Sequence, residues 1–546
     1  MTISTGSNKR AAVWLAPIIT GALLFAAFPG NKYPVAAWVA FVPLLAAVRK
    51  AKAGPLTSFL TGWLAGWIFF FLTCTWITVS MTRYGGMNKF LAYLAAALFC
   101  AIAGIFHGLF LSLVSRLDKW WGMNAWFFVP VLWTATEWLR GFTTGMTWNE
   151  LGVSQVGYIQ IAKFAQFGGA LMVGFIVMSF NTLVLVFTEA FTKEGRRVVS
   201  FFLFLGLLGY FLSRQSDGFF IGSLRASGAE VTAAVIQPVL PVDLAKSSDE
   251  FASQNKAFLE KTRKILDDFL KSPKGGHPDL IIWPESPLAL EYGTDEAITQ
   301  NLNQIAREYR SYFIFSAIGR DGQKIYNSAQ TLNPEGKPLN RYDKRRLMPF
   351  GEYVPFRPLI GWLVPPMVGD FNQGTSATVN TLKLLPRESF VVNEKETQGE
   401  VALQRTTNFL RLGIFICYES AYPVLVSDFV RQNAGMLVNI SDDAWFGDSA
   451  GPRQHMDHVR MRAIENYRDV LRVTNSGVTG LIRADGSVEG EIPMFSPQAT
   501  VLRASEHKEL TFFAKYGNWF AVSSFSLVVL LLGIRFFQVS RKPAAK

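Results

Sequence analysis

The stretch "FLRLGIFICYES", residues 409–420, begins with the apolar run of a buried β-strand and ends with Cys417, Tyr418 and Glu419. Similar apolar runs alternate with helical patterns through this part of the chain, which indicates a layered α/β fold. The other predicted strands are 233–237, 280–285, 312–319, 435–441, 470–477 and 480–486, and the predicted helices are 250–271, 295–309, 420–432 and 454–468. We therefore expect a thiol where a core strand of an α/β domain ends.

Outside this domain the chain is apolar enough to require a membrane. Half of its 546 residues are hydrophobic, and the mean hydropathy is +0.22. A helix needs about 20 predominantly apolar residues to cross a bilayer. We predict about eight such helices, near residues 11–29, 34–48, 56–81, 90–114, 125–142, 161–187, 198–214 and 519–537.

The predicted organisation is a polytopic α-helical membrane protein with an inserted α/β domain. Residues 1–214 form an N-terminal membrane domain of about seven helices, 215–518 form an extracytoplasmic domain, and 519–546 form a C-terminal transmembrane helix and a cytoplasmic tail. Orientation follows from Lys and Arg, which are in excess in cytoplasmic loops. These residues cluster on alternate sides of the predicted helices, at Lys9, Arg10, Arg49, Lys50, Lys52, Arg116, Lys119, Lys193, Arg196, Arg197, Arg535, Arg541, Lys542 and Lys546. Both termini are therefore expected in the cytoplasm.

Charge and motif content exclude several functions. Part of the net charge of +12 reflects membrane topology and requires no nucleic-acid partner. The glycines form neither a GxGxxG nor a P-loop pattern, so the sequence does not support nucleotide binding. Cys417 is the one cysteine of the α/β domain, which rules out a disulfide framework inside it.

Three reactive groups follow predicted strands and suggest nucleophilic catalysis. "IIWPES" supplies Glu285, "RYDKRRLMPFGEYVP" supplies Lys344, and "GIFICYES" supplies Cys417. A thiol is only a few per cent thiolate at neutral pH, so it needs a nearby base. The apolar neighbours of Glu285 should make its carboxylate a better base, and the Lys344 ammonium could stabilise an oxyanion together with the Tyr418 N–H.

The motifs "WPES", "YDK" and "CYES", in this order, resemble the nitrilase or carbon–nitrogen hydrolase superfamily, whose fold is a four-layer α-β-β-α sandwich. Combined with seven preceding helices and one following helix, they resemble the apolipoprotein N-acyltransferase family. Further motifs carry the likeness across nearly the whole chain: "PFGEYVP", "DAWFGDS", "GPRQH", "RMRAIEN" and "VTNSGVTG".

This resemblance implies an enzyme of the bacterial inner membrane that needs no cofactor. Its family moves an acyl chain from a phospholipid to the α-amine of a diacylglyceryl-cysteine at the N-terminus of an apolipoprotein, the last step of lipoprotein maturation. The resemblance implies Glu285 as the base, Lys344 as the oxyanion stabiliser and Cys417 as the nucleophile that carries the acyl group. Supporting roles are implied for Glu352, Tyr418 and Glu419.

The chain departs from the family pattern at three positions. Asp442 stands where the family usually has asparagine in "SNDAWFG". Lys246 ends the stretch "LPVDLAK" where a tryptophan is common, and Thr147 replaces the proline of a "PW" motif.

Two surface interpretations concern lipid contact. The stretch "FRPLIGWLVPPMVGDF", residues 356–371, is apolar, broken by proline and too short to span a membrane. We interpret it as a lid that dips into the outer leaflet through Trp362, Leu363 and Met367, although a loop covering the core is the alternative. Trp148, in the loop before the sixth predicted helix, is a further candidate for lipid contact.

Several alternatives stay open at the level of sequence. His455 and His458 have a spacing that metal ligands use, but no matching cluster accompanies them, and we predict no metal. Glu137 and Arg140 could mark an ion path or pair with each other. The rival functions are a membrane-tethered amidase or nitrilase that releases its product to water, and a transporter or sensor whose domain has lost activity.

Overall fold

The computed structural model describes residues 5–28, 33–187, 192–214, 228–240, 248–271, 277–285, 291–354, 357–360, 370–384 and 408–540. Lys246 and the predicted lid residues Trp362, Leu363 and Met367 lie outside these ranges. The proposed lipid-dipping lid therefore stays a prediction.

Helices make up the described part of the first 214 residues. They are α1 Thr5–Ala27, α2 Val42–Lys50, α3 Pro55–Thr73, α4 Ile77–Val79, α5 Lys89–Trp121, α6 Val129–Thr144, α7 Ile159–Ala162, α8 Ala165–Phe187 and α9 Lys193–Arg214. Their apolar side chains are buried where helices meet: α3 and α5 pack through Gly62, Gly104 and Gly108, where an added Cβ would approach the facing backbone within 3 Å.

By length and composition, four helical stretches among the described residues could cross a membrane. They are Pro55–Thr73, Lys89–Thr144, Ala165–Phe187 and Trp519–Gln538, and the second comprises α5 and α6 joined by a 3-10 turn. Ala11–Ala27 is a shorter apolar helix. The total of eight transmembrane helices stays a prediction.

The predicted helix 56–81 ends earlier than expected, at Thr73. The following residues turn towards the α/β domain, where the Ser80 hydroxyl donates to the Trp445 carbonyl at 2.7 Å. The Tyr84 hydroxyl donates to the Ala444 carbonyl at 2.9 Å. Residues 80–84 form a π-helical turn, and these two hydroxyl groups attach it to the α/β domain.

The helices of the α/β domain alternate with its strands along the chain, and a short helix precedes the last span. They are α10 Ser248–Leu270, α11 Glu296–Glu308, α12 Arg357–Ile360, α13 Pro423–Arg431, α14 Gly451–Asn466 and α15 Phe512–Tyr516, and the chain continues into α16 Trp519–Ser540. The N-terminus of α11 is capped by the Asp295 carboxylate, which accepts from the Ile298 N–H.

Twelve described strands form two six-stranded sheets. The strands are β1 Glu230–Gln237, β2 Leu280–Ile282, β3 Tyr312–Asp321, β4 Lys324–Leu332, β5 Pro338–Asp343, β6 Val379–Leu384, β7 Asn408–Ile416, β8 Met436–Ser441, β9 Val470–Thr474, β10 Thr479–Ile482, β11 Val488–Ile492 and β12 Gln498–Ser505. The first sheet has the order β12-β1-β2-β3-β4-β5, and the second has the order β11-β10-β9-β8-β7-β6. Strands β1, β2 and β3 are mutually parallel, as are β7, β8 and β9.

One buried apolar cluster joins the two sheets. It contains Val235 and Ile282 from the first sheet and Ile414 and Val438 from the second. The same cluster includes side chains of α13 and α14, whereas Phe258 of α10 belongs to a second cluster with Ile281 and Trp283. Because adjacent strand residues point to opposite faces, β2 contributes to both clusters.

Candidate active site

Glu285, Lys344 and Cys417 all lie just beyond the carboxyl ends of strands. Glu285 follows β2 by three residues, Lys344 follows β5 directly, and Cys417 follows β7 directly. Strand β5 is antiparallel to β4, which is antiparallel to β3, so β2 and β5 end at the same edge of the first sheet. The structure therefore places Glu285 and Lys344 at one sheet edge, and Cys417 of the second sheet lies close enough for both of their charges to act on its thiol.

The Lys344 ammonium lies between two carboxylates. Its Nζ is 3.1 Å from Oε1 of Glu285 and 3.0 Å from Oε1 of Glu352. Lys344 and Glu285 are 1% and 5% exposed. Burial alone would lower the pKa of the Lys344 ammonium, but the Glu285 and Glu352 carboxylates hold it well above its usual value. The lysine is therefore a fixed positive charge and not a base.

Asn327 of β4, which sequence reasoning missed, connects the same two carboxylates. Its amide Nδ2 donates to Glu285 Oε1 at 2.8 Å and to Glu352 Oε1 at 2.6 Å. The backbone N–H of Asp442 donates to the other Glu285 oxygen at 3.0 Å. The Glu285 carboxylate thus faces polar donors, contrary to the apolar setting that its sequence neighbours suggested, because the apolar side chains of β2 point into the two cores.

Cys417 has a backbone conformation that is uncommon for a residue with a side chain. Its φ is +51°, in the left-handed region, and it begins a 3-10 turn that ends at Ala421. Burial raises the pKa of its thiol and the Glu285 carboxylate adds to the rise, whereas the Lys344 ammonium opposes it. The resting sulfur is therefore a thiol, and the charges of Glu285 and Lys344 act on it in opposite directions.

Glu419 is completely buried and binds backbone, not the Lys344 ammonium. One oxygen accepts from the N–H groups of Arg345 at 2.6 Å and Arg346 at 3.1 Å, and the other accepts from Ile416 N–H at 2.8 Å. The Tyr342 hydroxyl lies 2.8 and 2.9 Å from its two oxygens. Glu419 therefore ties the loop that carries Lys344 to the strand end that carries the thiol.

A second ionic cluster supports the cysteine from the other side. His455 of α14 donates from Nε2 to the Cys417 carbonyl at 3.0 Å, and its Nδ1 lies 2.8 Å from an Asp443 oxygen. Arg472 binds the other Asp443 oxygen at 2.6 Å. Burial would raise the pKa of Asp443, but Arg472 and His455 hold it below its usual range. The motifs "DAWFGDS" and "GPRQH" contained two of these residues, but their sequence gave no sign that they meet.

Trp148 packs at the interface between the membrane helices and the α/β domain. It is 3% exposed, so its expected lipid contact is not seen; its ring stacks on Tyr418 at 6.0 Å and lies 4.6 Å from the His458 ring. Trp148 Nε1 donates to Gln454 Oε1 at 2.9 Å. Tyr418, which follows Cys417 in sequence, therefore lies at the interface between the two domains.

The two histidines considered as metal ligands have separate partners. His458 Nε2 accepts from the Asn149 N–H at 3.4 Å, whereas His455 binds Asp443 and the Cys417 carbonyl. Among the described residues, no group of three or more His, Cys, Asp or Glu side chains is placed to hold a metal ion.

Glu137 and Arg140 of α6 are buried, and each binds a main-chain group. Glu137 Oε1 accepts from the Leu151 N–H at 2.8 Å, and Arg140 Nη1 donates to the Trp148 carbonyl at 2.9 Å. Both side chains therefore fix the loop that carries Trp148.

Comparison with known families explains this combination of domains. Residues 20–183 match the family described as the apolipoprotein N-acyltransferase N-terminal domain, and residues 232–511, just over half of the chain, match the carbon–nitrogen hydrolase family. An apolipoprotein N-acyltransferase of Vibrio cholerae is 30% identical over 512 residues, which cover 90% of each chain. The chain belongs to the apolipoprotein N-acyltransferase family.

Other members of the apolipoprotein N-acyltransferase family show comparable similarity. The protein of that name from Geobacter metallireducens is 28% identical and covers 93% of this chain and 92% of its own. Among solved structures, an amidase from Nesterenkonia sp. AN1 is 15% identical, covers 52% of this chain and 93% of its own, and has a TM-score of 0.35. The family matches make the protein an acyltransferase with a carbon–nitrogen hydrolase domain, and its described residues include two sheets and four helical stretches able to span a membrane.

Proposed function

We propose that this enzyme N-acylates the N-terminal diacylglyceryl-cysteine of apolipoproteins, with a phospholipid as the acyl donor and a Cys417 thioester as the intermediate. The observation that supports this most is the position of the Lys344 ammonium, 3.1 Å from Glu285 and 3.0 Å from Glu352. Cys417, whose backbone is left-handed, lies near this group of charges. One positive charge between two carboxylates leaves one negative charge, which can accept a proton from the thiol.

In the first half-reaction, Glu285 removes the proton from the Cys417 thiol and the sulfur attacks the ester carbonyl of the phospholipid. Lys344 and the Tyr418 N–H stabilise the oxyanion. The carbon–oxygen bond then breaks, the leaving alkoxide takes the proton from Glu285, and a lysophospholipid departs.

In the second half-reaction, the α-amine of the lipoprotein attacks the thioester. Glu285 accepts a proton from the amine, the carbon–sulfur bond breaks, and the sulfur recovers the proton as a thiol. The products are an amide and free enzyme, and the two steps give ping-pong kinetics.

The arrangement in the cell belongs to the same proposal. We place about eight helices across the bacterial inner membrane, with 1–214, 215–518 and 519–546 as the domains, both termini in the cytoplasm and the catalytic domain outside. The alternating Lys and Arg clusters support this orientation. We further propose that the catalytic domain is a four-layer α-β-β-α sandwich. Two apolar clusters support this: on one face β1 and β2 pack against the second sheet, and on the other face they pack against α10 and α11.

Mass analysis of Cys417 after incubation with phospholipid alone tests the mechanism. The wild-type enzyme should gain one long acyl chain, and neutral hydroxylamine should remove it because thioesters are labile to this reagent. Cys417→Ala should gain none, and Glu285→Gln should gain it at least tenfold more slowly because the base is lost.

Addition of acceptor then separates transfer from hydrolysis. A diacylated lipopeptide with a free N-terminus should discharge the chain onto its amine, whereas an N-blocked lipopeptide should not. Rapid release of free fatty acid would instead indicate a membrane-tethered hydrolase. A wild-type enzyme that never carries acyl mass would rule out the covalent mechanism.

A further inference from the structure

Helix α14 is unusual because it is polar in sequence and yet buried on nearly every side. Its sequence is "GPRQHMDHVRMRAIEN", and thirteen of its sixteen residues are buried. Polar side chains are buried only when they find partners, because an unpartnered polar group costs free energy. The partners of α14 lie in two different places: the turn that carries Cys417 and the membrane domain.

One set of contacts holds the turn of the nucleophile. His455 Nε2 donates to the Cys417 carbonyl at 3.0 Å, and Arg462 Nη1 donates to the Ser420 carbonyl at 3.2 Å. The left-handed backbone of Cys417 is costly for a residue with a Cβ and persists only when its surroundings fix it. These two hydrogen bonds fix the first and the fourth carbonyls of the five-residue 3-10 turn.

The other set of contacts holds the membrane domain. Gln454 donates to the Thr73 carbonyl at 3.0 Å and accepts from the Trp76 indole at 3.1 Å. Glu465 Oε1 accepts from the Ala170 N–H at 2.9 Å, just after a kink in α8. Helix α14 is thus anchored in the membrane domain near both of its ends.

A single buried ion pair joins the two sets. Arg462 Nε lies 2.7 Å from Glu465 Oε2, and both side chains are completely buried. Arg462 Nη2 also donates to Glu465 Oε1 at 2.9 Å. The carboxylate that binds the Ala170 N–H therefore also aligns the guanidinium that binds the Ser420 carbonyl.

We propose that Arg462, Glu465 and His455 are positioning residues through which docking of the membrane domain sets the reactivity of Cys417. The inference rests on the proposed role of Cys417 as the nucleophile. If the Arg462–Glu465 pair is lost, the 3-10 turn loses one of the two hydrogen bonds that α14 donates to its carbonyls. The position of the thiol relative to Glu285 and Lys344 is then less fixed. The contact between the domains then affects the reaction rate of the Cys417 thiol as well as the stability of the fold.

Helix α14 offers a matched control for this ion pair. Asp457 and Arg460 form a pair with the same i,i+3 spacing at 3.0 Å on the same helix. Arg460 continues to the Gly486 carbonyl at 2.8 Å, away from the nucleophile. Asp457→Asn and Arg460→Gln therefore remove a pair of the same spacing, partly exposed where the Arg462–Glu465 pair is buried, without touching the turn.

The test uses the full-length protein in lipid nanodiscs. The rate at which iodoacetamide alkylates Cys417 is measured by peptide mass analysis, because this small reagent needs no lipid site, and the rate of acylation by phospholipid is measured in parallel. Arg462→Gln and Glu465→Gln should slow both rates at least tenfold with an unchanged KM for phospholipid. Asp457→Asn and Arg460→Gln should stay within twofold of wild type, and Arg462→Lys should recover part of the loss.

The outcomes separate positioning from simple destabilisation. Melting temperatures are measured for all variants, and rates are expressed per folded molecule. If Arg462→Gln and Glu465→Gln are folded and react at the wild-type rates, the proposal is overturned. Should either variant fail to fold, Gln454→Met must slow alkylation for the proposal to stand, because it removes the contacts to Thr73, Trp76 and Trp148. Slowed alkylation in the variants together with a wild type that never becomes acylated would refute the proposed function and leave the positioning role in place.

Discussion

At the scale of the residue, Asp442 adds a second carboxyl group beside Glu285. Its side-chain Oδ1 accepts from the Ala444 N–H at 3.0 Å and from Asn475 Nδ2 at 3.2 Å. Burial raises the pKa of Asp442 to about 8; the Ala444 N–H counteracts the rise and the Glu285 carboxylate adds to it. At neutral pH this carboxyl group is therefore mainly protonated and resembles the asparagine common in the family.

This pKa predicts a specific pH dependence of stability. In the unfolded chain an Asp ionises near pH 4, so between about pH 4 and pH 8 the folded state holds one more proton than the unfolded state. The free energy of unfolding then falls as pH rises, by about 1.4 kcal/mol per pH unit, and the trend ends above pH 8. Asp442→Asn cannot ionise, so its stability relative to wild type should increase from pH 5 to pH 8.

Thermal melting at several pH values measures this difference. Asp485→Asn, at an exposed turn position, is the control and should give a melting curve against pH parallel to that of wild type. Parallel curves for Asp442→Asn and wild type would show that Asp442 is ionised throughout.

The sequence predicted the three reactive residues because each follows an apolar strand in a distinctive local motif. It could not predict the roles of Asn327 or His455. Asn327 contacts Glu285 across 42 positions of the chain, and His455 contacts Cys417 across 38. Such contacts depend on how the sheets and α14 pack, and local periodicity contains no information about that packing.

At the scale of the element, the kink in α8 deserves a direct test because glycine makes it possible. Gly169 has φ +72° and ψ −174°, a conformation that is essentially restricted to glycine. A Cβ at this position would lie 2.7 Å from Cε2 of Phe513. The kink frees the Ala170 N–H to bind Glu465, so both the backbone angle and the close approach require glycine.

Gly169→Ala should therefore destabilise the protein by about 1–3 kcal/mol, from backbone strain and the clash with Phe513. The measurement is the melting temperature in nanodiscs. Gly206→Ala, inside α9 with no atom within 4 Å of the added Cβ, is the control and should melt at or slightly above the wild-type temperature, because alanine favours a helix over glycine. Equal melting of both variants would mean that α8 tolerates a straighter path.

The lid predicted within 356–371 leads to a second test at this scale. A charge placed in a segment that dips into the bilayer costs a few kcal/mol at depth, whereas on a water-facing loop it costs little. Trp362→Glu and Leu363→Glu should therefore slow turnover of phospholipid while the catalytic domain stays folded, as judged by melting temperature. Normal turnover by both variants would favour the loop that covers the core.

The predicted strands and helices of the catalytic domain were mostly found, but β4, β5, β6, β11 and β12 were missed. Strands β5, β6, β11 and β12 form the edges of the two sheets and mix exposed with buried residues, whereas β4, next to an edge, is mostly buried but contains polar residues such as Asn327 and Gln330. Strand β11, for example, reads "VEGEI" with three exposed residues in its centre. Central parallel strands are buried on both faces and were therefore easier to identify.

At the scale of the whole molecule, membrane orientation is the main prediction. A reporter that is active only outside the cytoplasm should be active when fused near residue 225 and silent when fused after residue 190, because the Lys193, Arg196 and Arg197 cluster should stay inside. Western blots of both fusions control for expression. The opposite pattern of activity would reverse the orientation.

Hydropathy predicts the order of the domains along the chain, because spans and strands differ in length and period, and this division stays a prediction. The way the domains dock was not predictable. Trp148 was a candidate for lipid contact, but it is buried between Tyr418 and His458. A sequence shows that a residue is apolar and not whether lipid or protein covers it.

The contact between Ala170 and Glu465 also has a consequence for biosynthesis. The two residues are 295 positions apart. A ribosome that adds about 5–20 residues per second reaches Glu465 roughly 15–60 s after Ala170. Throughout that interval the kinked helix has emerged while its partner carboxylate has not been translated. Until α14 has been synthesised, the Ala170 N–H of the nascent membrane domain lacks the carboxylate partner that it has in the folded protein.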